Sequence, residues 1–139
     1  ADSAGYLYKE ELKAYLTEKG YTVIDCGTDS DASCHYPEFA AAVAKNVQND
    51  SNSFGILVCG TGIGMNICAN KIKGIRAAQC SDTFSAKMTR QHNNANVLTL
   101  GGRVIGPELA KEIVNEFLTN EFLGGRHEIR VNKMMNIQK

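Results

Sequence analysis

The sequence has no tryptophan, only two prolines, and no excess of either charge: Lys plus Arg and Asp plus Glu both number 15, so the formal net charge is zero. Balanced charge argues against a general nucleic-acid or membrane-surface role, because both need a basic field, but it leaves room for a local anion site. No apolar run is long enough to span a bilayer, and no stretch resembles a signal peptide. The five cysteines, Cys26, Cys34, Cys59, Cys68 and Cys80, are odd in number and include no C-x-x-C pair. That pattern supports neither zinc ligation nor a disulfide framework, and a reducing cytosol is the expected compartment. Low-complexity linkers and internal repeats are also missing. The 139 residues are enough for a single domain, 1–139, with its own core.

What is present is an alternation of helical and apolar strand patterns. Tyr6 to Lys19 reads as a helix with Leu7, Leu12, Tyr15 and Leu16 on its apolar stripe, and Gly20 stops it. Tyr21 to Cys26 reads as a short strand, and Gly27 to His35 as a polar loop. Pro37 suits a helix start, with helix over Glu38 to Val47. Phe54 to Cys59 is a buried strand of the parallel type, followed by a glycine turn and a helix from about Met65 to Lys71. Ile75 to Cys80 and Ala95 to Leu100 are further strands. Between them lies a helix that Ser81 or Asp82 can cap and that ends near His92. Pro107 to Asn120 and Arg126 to Gln138 complete the helices. This repetition predicts an α/β fold with a mainly parallel sheet and helices on both faces. Asp2 and Ser3 sit in a loop where an α/β domain normally leaves a first strand, so a short strand before Ala1 is expected. Ligands of such sheets bind beyond the strands' carboxyl ends, and all the candidates below except the C-terminal arginines are expected there.

Cys59 ends its strand, and Gly60, Gly62 and Gly64 then alternate with Thr61 and Ile63. Bare backbone N–H groups can converge in such a turn, and the following helix adds its positive end. The result is an anion hole for a phosphate or a transient oxyanion, and the same field favours the thiolate of Cys59. The spacing is neither a dinucleotide fingerprint, which would need glycine where Met65 stands, nor a P-loop, which would need Gly-Lys-Ser/Thr. The plainer alternative is a tight turn beside an inert cysteine. His92 closes a helix within Arg90-Gln91-His92-Asn93-Asn94 and is either an acid/base group or an ordinary helix cap. Arg126 and Arg130 share a helix face after Gly124-Gly125; an anion between them would turn their repulsion into attraction, while the alternative is a solvated surface. Arg103, after Gly101-Gly102, is a weaker candidate of the same kind. Asp2 and Ser3 either reach the cleft or cap a helix, and Tyr36 lines the pocket or joins the core. His35 reads as a loop residue, and His127 as an exposed residue without a role.

Taken together, these residues resemble the ribose-5-phosphate isomerase B and galactose-6-phosphate isomerase (RpiB/LacA/LacB) family, and the ribose-5-phosphate isomerases B most of all. The resemblance runs from Asp2 to the C-terminus. Its most specific stretch is Gly55 to Gly64, followed by Ala69-Asn70-Lys71, Gly74 to Ala77, Arg90 to Asn93, Asn96-Val97, Gly102-Arg103 and Gly124 to His127. It implies a Rossmann-like three-layer α/β/α sandwich and a homodimer or tetramer with sites shared between subunits. It also implies cytoplasmic carbohydrate metabolism in the pentose phosphate pathway, with no metal and no cofactor. On this resemblance Cys59 moves the proton between C1 and C2 of a phosphorylated sugar and Thr61 assists. The N–H groups of Gly60, Thr61, Gly62, Ile63 and Gly64 steady the enediolate. His92 opens the ring, Asn93, Asp2 and Tyr36 meet sugar hydroxyls, and Arg126, Arg130 and Arg103 hold the phosphate. The family usually has Asp-His where this chain has Asp2-Ser3, which leaves the preferred sugar open: ribose 5-phosphate, or a hexose 6-phosphate such as allose or galactose 6-phosphate. His35-Tyr36-Pro37 resembles the LacB-type stretch, whereas Arg126 and His127 resemble the ribose-type C-terminus, and the presence of Cys59 argues against a LacA-type subunit. From another class, a non-catalytic phosphate- or nucleotide-binding module would use the glycine turn and the arginines but would need neither Cys59 nor His92.

Overall fold

A computed structural model describes residues 5–27 and 35–138. Its elements follow the chain as α1 (Tyr6–Glu18), α2 (Tyr36–Asn49), β1 (Gly55–Cys59), α3 (Ile63–Asn70), β2 (Ala77–Gln79), α4 (Thr83–Asn93), β3 (Val97–Gly101), α5 (Pro107–Thr119) and α6 (Arg126–Asn136). The three strands form a parallel sheet in the order β1-β3-β2. The chain therefore steps past the β3 position through α3 and comes back through α4. Right-handed crossovers in opposite directions place these two helices on opposite faces.

Burial follows the pleat. Ile56, Val58, Leu98 and Leu100 point to one face and pack with Leu12 and Leu16 of α1, Ala86 of α4 and Ile113, Val114 and Phe117 of α5. Leu57, Cys59, Ala77 and Val97 point to the other and pack with Ala40, Ala44 and Val47 of α2 and Met65 and Ala69 of α3. The outcome is a Rossmann-like three-layer α/β/α sandwich. Asp82, rather than Ser81, caps α4: its carboxylate accepts from the Ser85 amide at 2.6 Å, which satisfies a first-turn amide that has no intrahelical acceptor.

Two expectations are corrected. Tyr21 to Cys26 is not a strand: it makes no ladder among the described residues, and lies along the outer side of β1 with a groove of about 550 Å³ between them. Alternating apolar residues give the segment strand character, but a strand also needs a ladder partner within hydrogen-bonding reach, and among the described residues this segment has none. Its anchor is electrostatic instead, with Asp25 held by Lys9 at 2.9 Å and Lys13 at 3.4 Å. On α1, Leu7 is not part of the buried stripe: it is 72% exposed, whereas Leu12 and Leu16 are buried.

Candidate active site

The connection leaving β1 goes to the α3 face and that leaving β3 to the α5 face, so the carboxyl ends of β1 and β3 bound the switch point of the sheet, where ligands of such folds bind. Cys59 is the last residue of β1 and pairs in register with Gly101 at the end of β3. The two loops that follow are clasped together: the Gly102 amide donates to the Cys59 carbonyl at 2.8 Å and the Arg103 amide to the Gly60 carbonyl at 3.0 Å.

The turn after Cys59 is built around its sulfur. Gly62 adopts φ +82°, a left-handed conformation open to glycine at low cost, and its amide donates to the Cys59 Sγ at 3.1 Å. The Ile63 amide donates to the Thr61 hydroxyl at 3.2 Å. Two of the five amides expected to form the oxyanion hole are therefore engaged within the turn. The next first-turn amides of α3, those of Gly64 and Met65, have no intrahelical acceptor and carry the positive end of the helix. Elsewhere in the core, burial and nearby Asp82 push the Cys80 thiol up to about 11, which keeps it protonated.

Tyr36 and Arg103 border this turn. The Tyr36 ring packs so closely on Gly64 that a Cβ there would lie 2.7 Å from the phenol oxygen. The Arg103 side chain runs beside Gly60, its Nη1 3.7 Å from where a Cβ would stand. Thr61 is exposed at the mouth. Asp2 and Ser3 lie outside the described residues.

His92 and Asn93 are elsewhere, which corrects the expectation that they share this end. They close α4, which runs antiparallel to the strands and delivers the chain to the start of β3 at Val97. In a parallel sheet that is the amino end. The register Gly55↔Val97 to Cys59↔Gly101 separates the two ends by four residue steps, roughly 13 Å at strand rise. Arg126 and Arg130, exposed on the first turns of α6, join His92 there because α6 packs on α4. One chain thus carries two clusters: Cys59, the glycine turn, Tyr36 and Arg103 at the carboxyl end; His92, Asn93, Arg126 and Arg130 at the amino end.

Sequence reasoning missed His127. It is half-buried, and its ring stacks on His92 with centroids 4.2 Å apart and planes 9° from parallel. Its position beside Arg126 was the available signal. Burial, His92, Arg126 and Arg130 together push the His127 imidazole below its ordinary pKa, since each disfavours the protonated ring. Among the described residues no group of three or more His, Cys, Asp or Glu side chains forms a metal site, and no helix is long and apolar enough to cross a membrane.

The chain matches the Ribose/Galactose Isomerase family over residues 1–134. It belongs to that family. Over 138 residues it is 47% identical to ribose-5-phosphate isomerase B of Escherichia coli (strain K12), covering 99% of this chain and 93% of the relative. Over 135 residues it is 50% identical to D-erythrulose-4-phosphate isomerase of Pectobacterium atrosepticum, covering 96% of this chain and 89% of the relative. The fold superposes on the solved structure of Clostridium thermocellum ribose-5-phosphate isomerase B with a TM-score of 0.96, at 47% identity, covering 99% of this chain and 93% of that one.

Proposed function

We propose that this family member is an aldose–ketose isomerase that interconverts ribose 5-phosphate and ribulose 5-phosphate through an enediolate. The observation that carries the reading is the Cys59 sulfur, held by the Gly62 amide at the switch point and at the mouth of a helix N-terminus. In the forward direction the Cys59 thiolate removes the proton from C2 of the open-chain aldose. Electrons move to the carbonyl oxygen on C1, and the resulting enediolate faces the positive end of α3. The thiol then returns the proton to C1 while the C2 hydroxyl proton is transferred to O1, which leaves the ketose. Thr61 and Tyr36 contact the reacting hydroxyls. His92 exchanges the ring-oxygen and anomeric hydroxyl protons on ring opening, Asn93 fixes its sugar contacts, and Arg103, Arg126 and Arg130 receive the phosphate. The net change moves hydrogen within one molecule, so no redox cofactor enters the balance.

Because the two clusters sit about 13 Å apart at strand rise on opposite ends of one chain, the complete site is assembled by two copies. In a two-fold dimer each carboxyl end meets its partner's amino end, and two equivalent sites form. Ile63 and Ile67 of α3, 56% and 54% exposed beside the glycine turn, and Ile129 between the arginines at the other end, 61% exposed, give both ends apolar margins suited to such closure.

The deciding experiment is turnover of ribose 5-phosphate beside allose 6-phosphate, galactose 6-phosphate and erythrulose 4-phosphate, in excess chelator. Preference for the pentose and full activity with chelator are expected. Preference for a hexose phosphate would move the assignment to that sugar and give Ser3 a selective role. Binding without turnover would favour a non-catalytic module.

A further inference from the structure

We infer that His127 is a positioning residue for His92: its ring, stacked face to face on the His92 imidazole, fixes the plane in which His92 meets the sugar. The inference rests on the role of His92 proposed above. The stack is a product of the surrounding backbone and does not depend on the two rings alone. His92 occupies the last turn of α4, and His127 the second position of α6. Three contacts tie the segment before α6 to α4. The Leu123 amide donates to the Gln91 carbonyl at 3.1 Å, the Gln91 side-chain amide donates to the Asn120 side chain at 3.1 Å, and Arg90 Nε donates to the Asn120 carbonyl at 3.3 Å. The His127 amide itself donates to the Gly124 carbonyl at 3.1 Å. Gly125, at φ +59°, turns the chain so that α6 begins with His127 over α4.

An imidazole at a helix end turns freely about χ2, a broad torsion with little preference of its own. A parallel ring at 4.2 Å removes that freedom. The charged groups acting on His127 are His92 on α4 and Arg126 and Arg130 on α6; no carboxylate is among them. A proton on His127 would sit beside these groups with no carboxylate to offset it, which holds its imidazole below the ordinary value.

The test compares His127→Leu with His127→Phe in the full chain. Leucine fills the space without a ring face, whereas phenylalanine restores a stacking plane without a titrating nitrogen. The His127→Leu variant should lose about tenfold in kcat, as small misalignments do, with KM within about twofold; His127→Phe should recover most of the loss. The substrate-free readout is the ring-current shift of the His92 imidazole protons by nuclear magnetic resonance. It should be present in the wild type and in His127→Phe, and absent in His127→Leu. Unchanged kcat in both variants, a rise in KM alone, or failure of phenylalanine to rescue would overturn the inference. Since the ring-current shift needs no turnover, a wild type with the stack but no isomerase activity would count against the proposed function and leave the stack standing.

Discussion

The amide of Gly62 donates to the sulfur of Cys59 across 3.1 Å, and that contact ties the position of the thiol to a turn only glycine adopts without strain. Cys59→Ala should remove turnover by at least about three orders of magnitude, the scale of a lost proton-transfer group, while calorimetry still detects ribose 5-phosphate binding. Gly62→Ala would combine φ +82° with a Cβ 2.9 Å from the Leu100 carbonyl carbon. It should destabilise the chain by about 1–3 kcal/mol in urea unfolding and reduce kcat as the sulfur is displaced.

The proposed two-copy site makes complementation measurable. Cys59→Ala and His92→Asn chains should each be inactive alone. Mixed in equal amounts and allowed to exchange subunits, they should recover about a quarter of wild-type activity, because half the dimers are mixed and each has one intact site of two. No recovery, with exchange shown by mass spectrometry, would mean that the two clusters do not serve one site.

Arg126 and Arg130 are exposed and unpaired with any carboxylate among the described residues, so their charge is available to a phosphate. Arg130→Gln should raise KM by roughly one to two orders of magnitude, the range of a lost charge-assisted hydrogen bond of about 1.5–3 kcal/mol. Its kcat should change less, as steady-state kinetics would show.

The lowered pKa of His127 has a definite sign. The folded chain binds a proton there less readily than the unfolded chain, so the unfolded state gains protons first as the solution is acidified. Stability should fall as pH drops from the ordinary imidazole value toward the lowered one, and this part of the loss should vanish in His127→Phe. Inorganic phosphate seated between Arg126 and Arg130 should move the His127 midpoint upward, as a titration of its ring carbons by nuclear magnetic resonance would report.

The pairing of a strand-final Cys59 with alternating glycines was legible because the turn chemistry is local. So was the three-layer fold, because helical and strand periods alternate cleanly. The failures were of another kind. Tyr21 to Cys26 has strand chemistry, but pairing depends on a neighbour that sequence pattern does not supply. His92 was expected at the ligand-binding end, although a residue between a helix and the next parallel strand must lie at the amino end; its chemistry drew it toward Cys59. His127 carries its meaning in a face-to-face contact with a residue 35 positions away, which no local pattern encodes.

Arg90 stands at the base of the His92 platform. It donates to the Ala95 carbonyl at 2.6 Å and the Asn94 side chain at 3.0 Å, and lies against the Phe54 and Phe117 rings at 4.7 and 5.8 Å. No carboxylate pairs with it among the described residues. Its charge is met by carbonyl dipoles and ring faces in a buried setting, which dissolved ions reach poorly, whereas Arg126 and Arg130 stand in open solvent. Ionic strength therefore acts on the two arginine populations differently: added salt screens Arg126 and Arg130 from any anion they meet and leaves the contacts of Arg90 as they were.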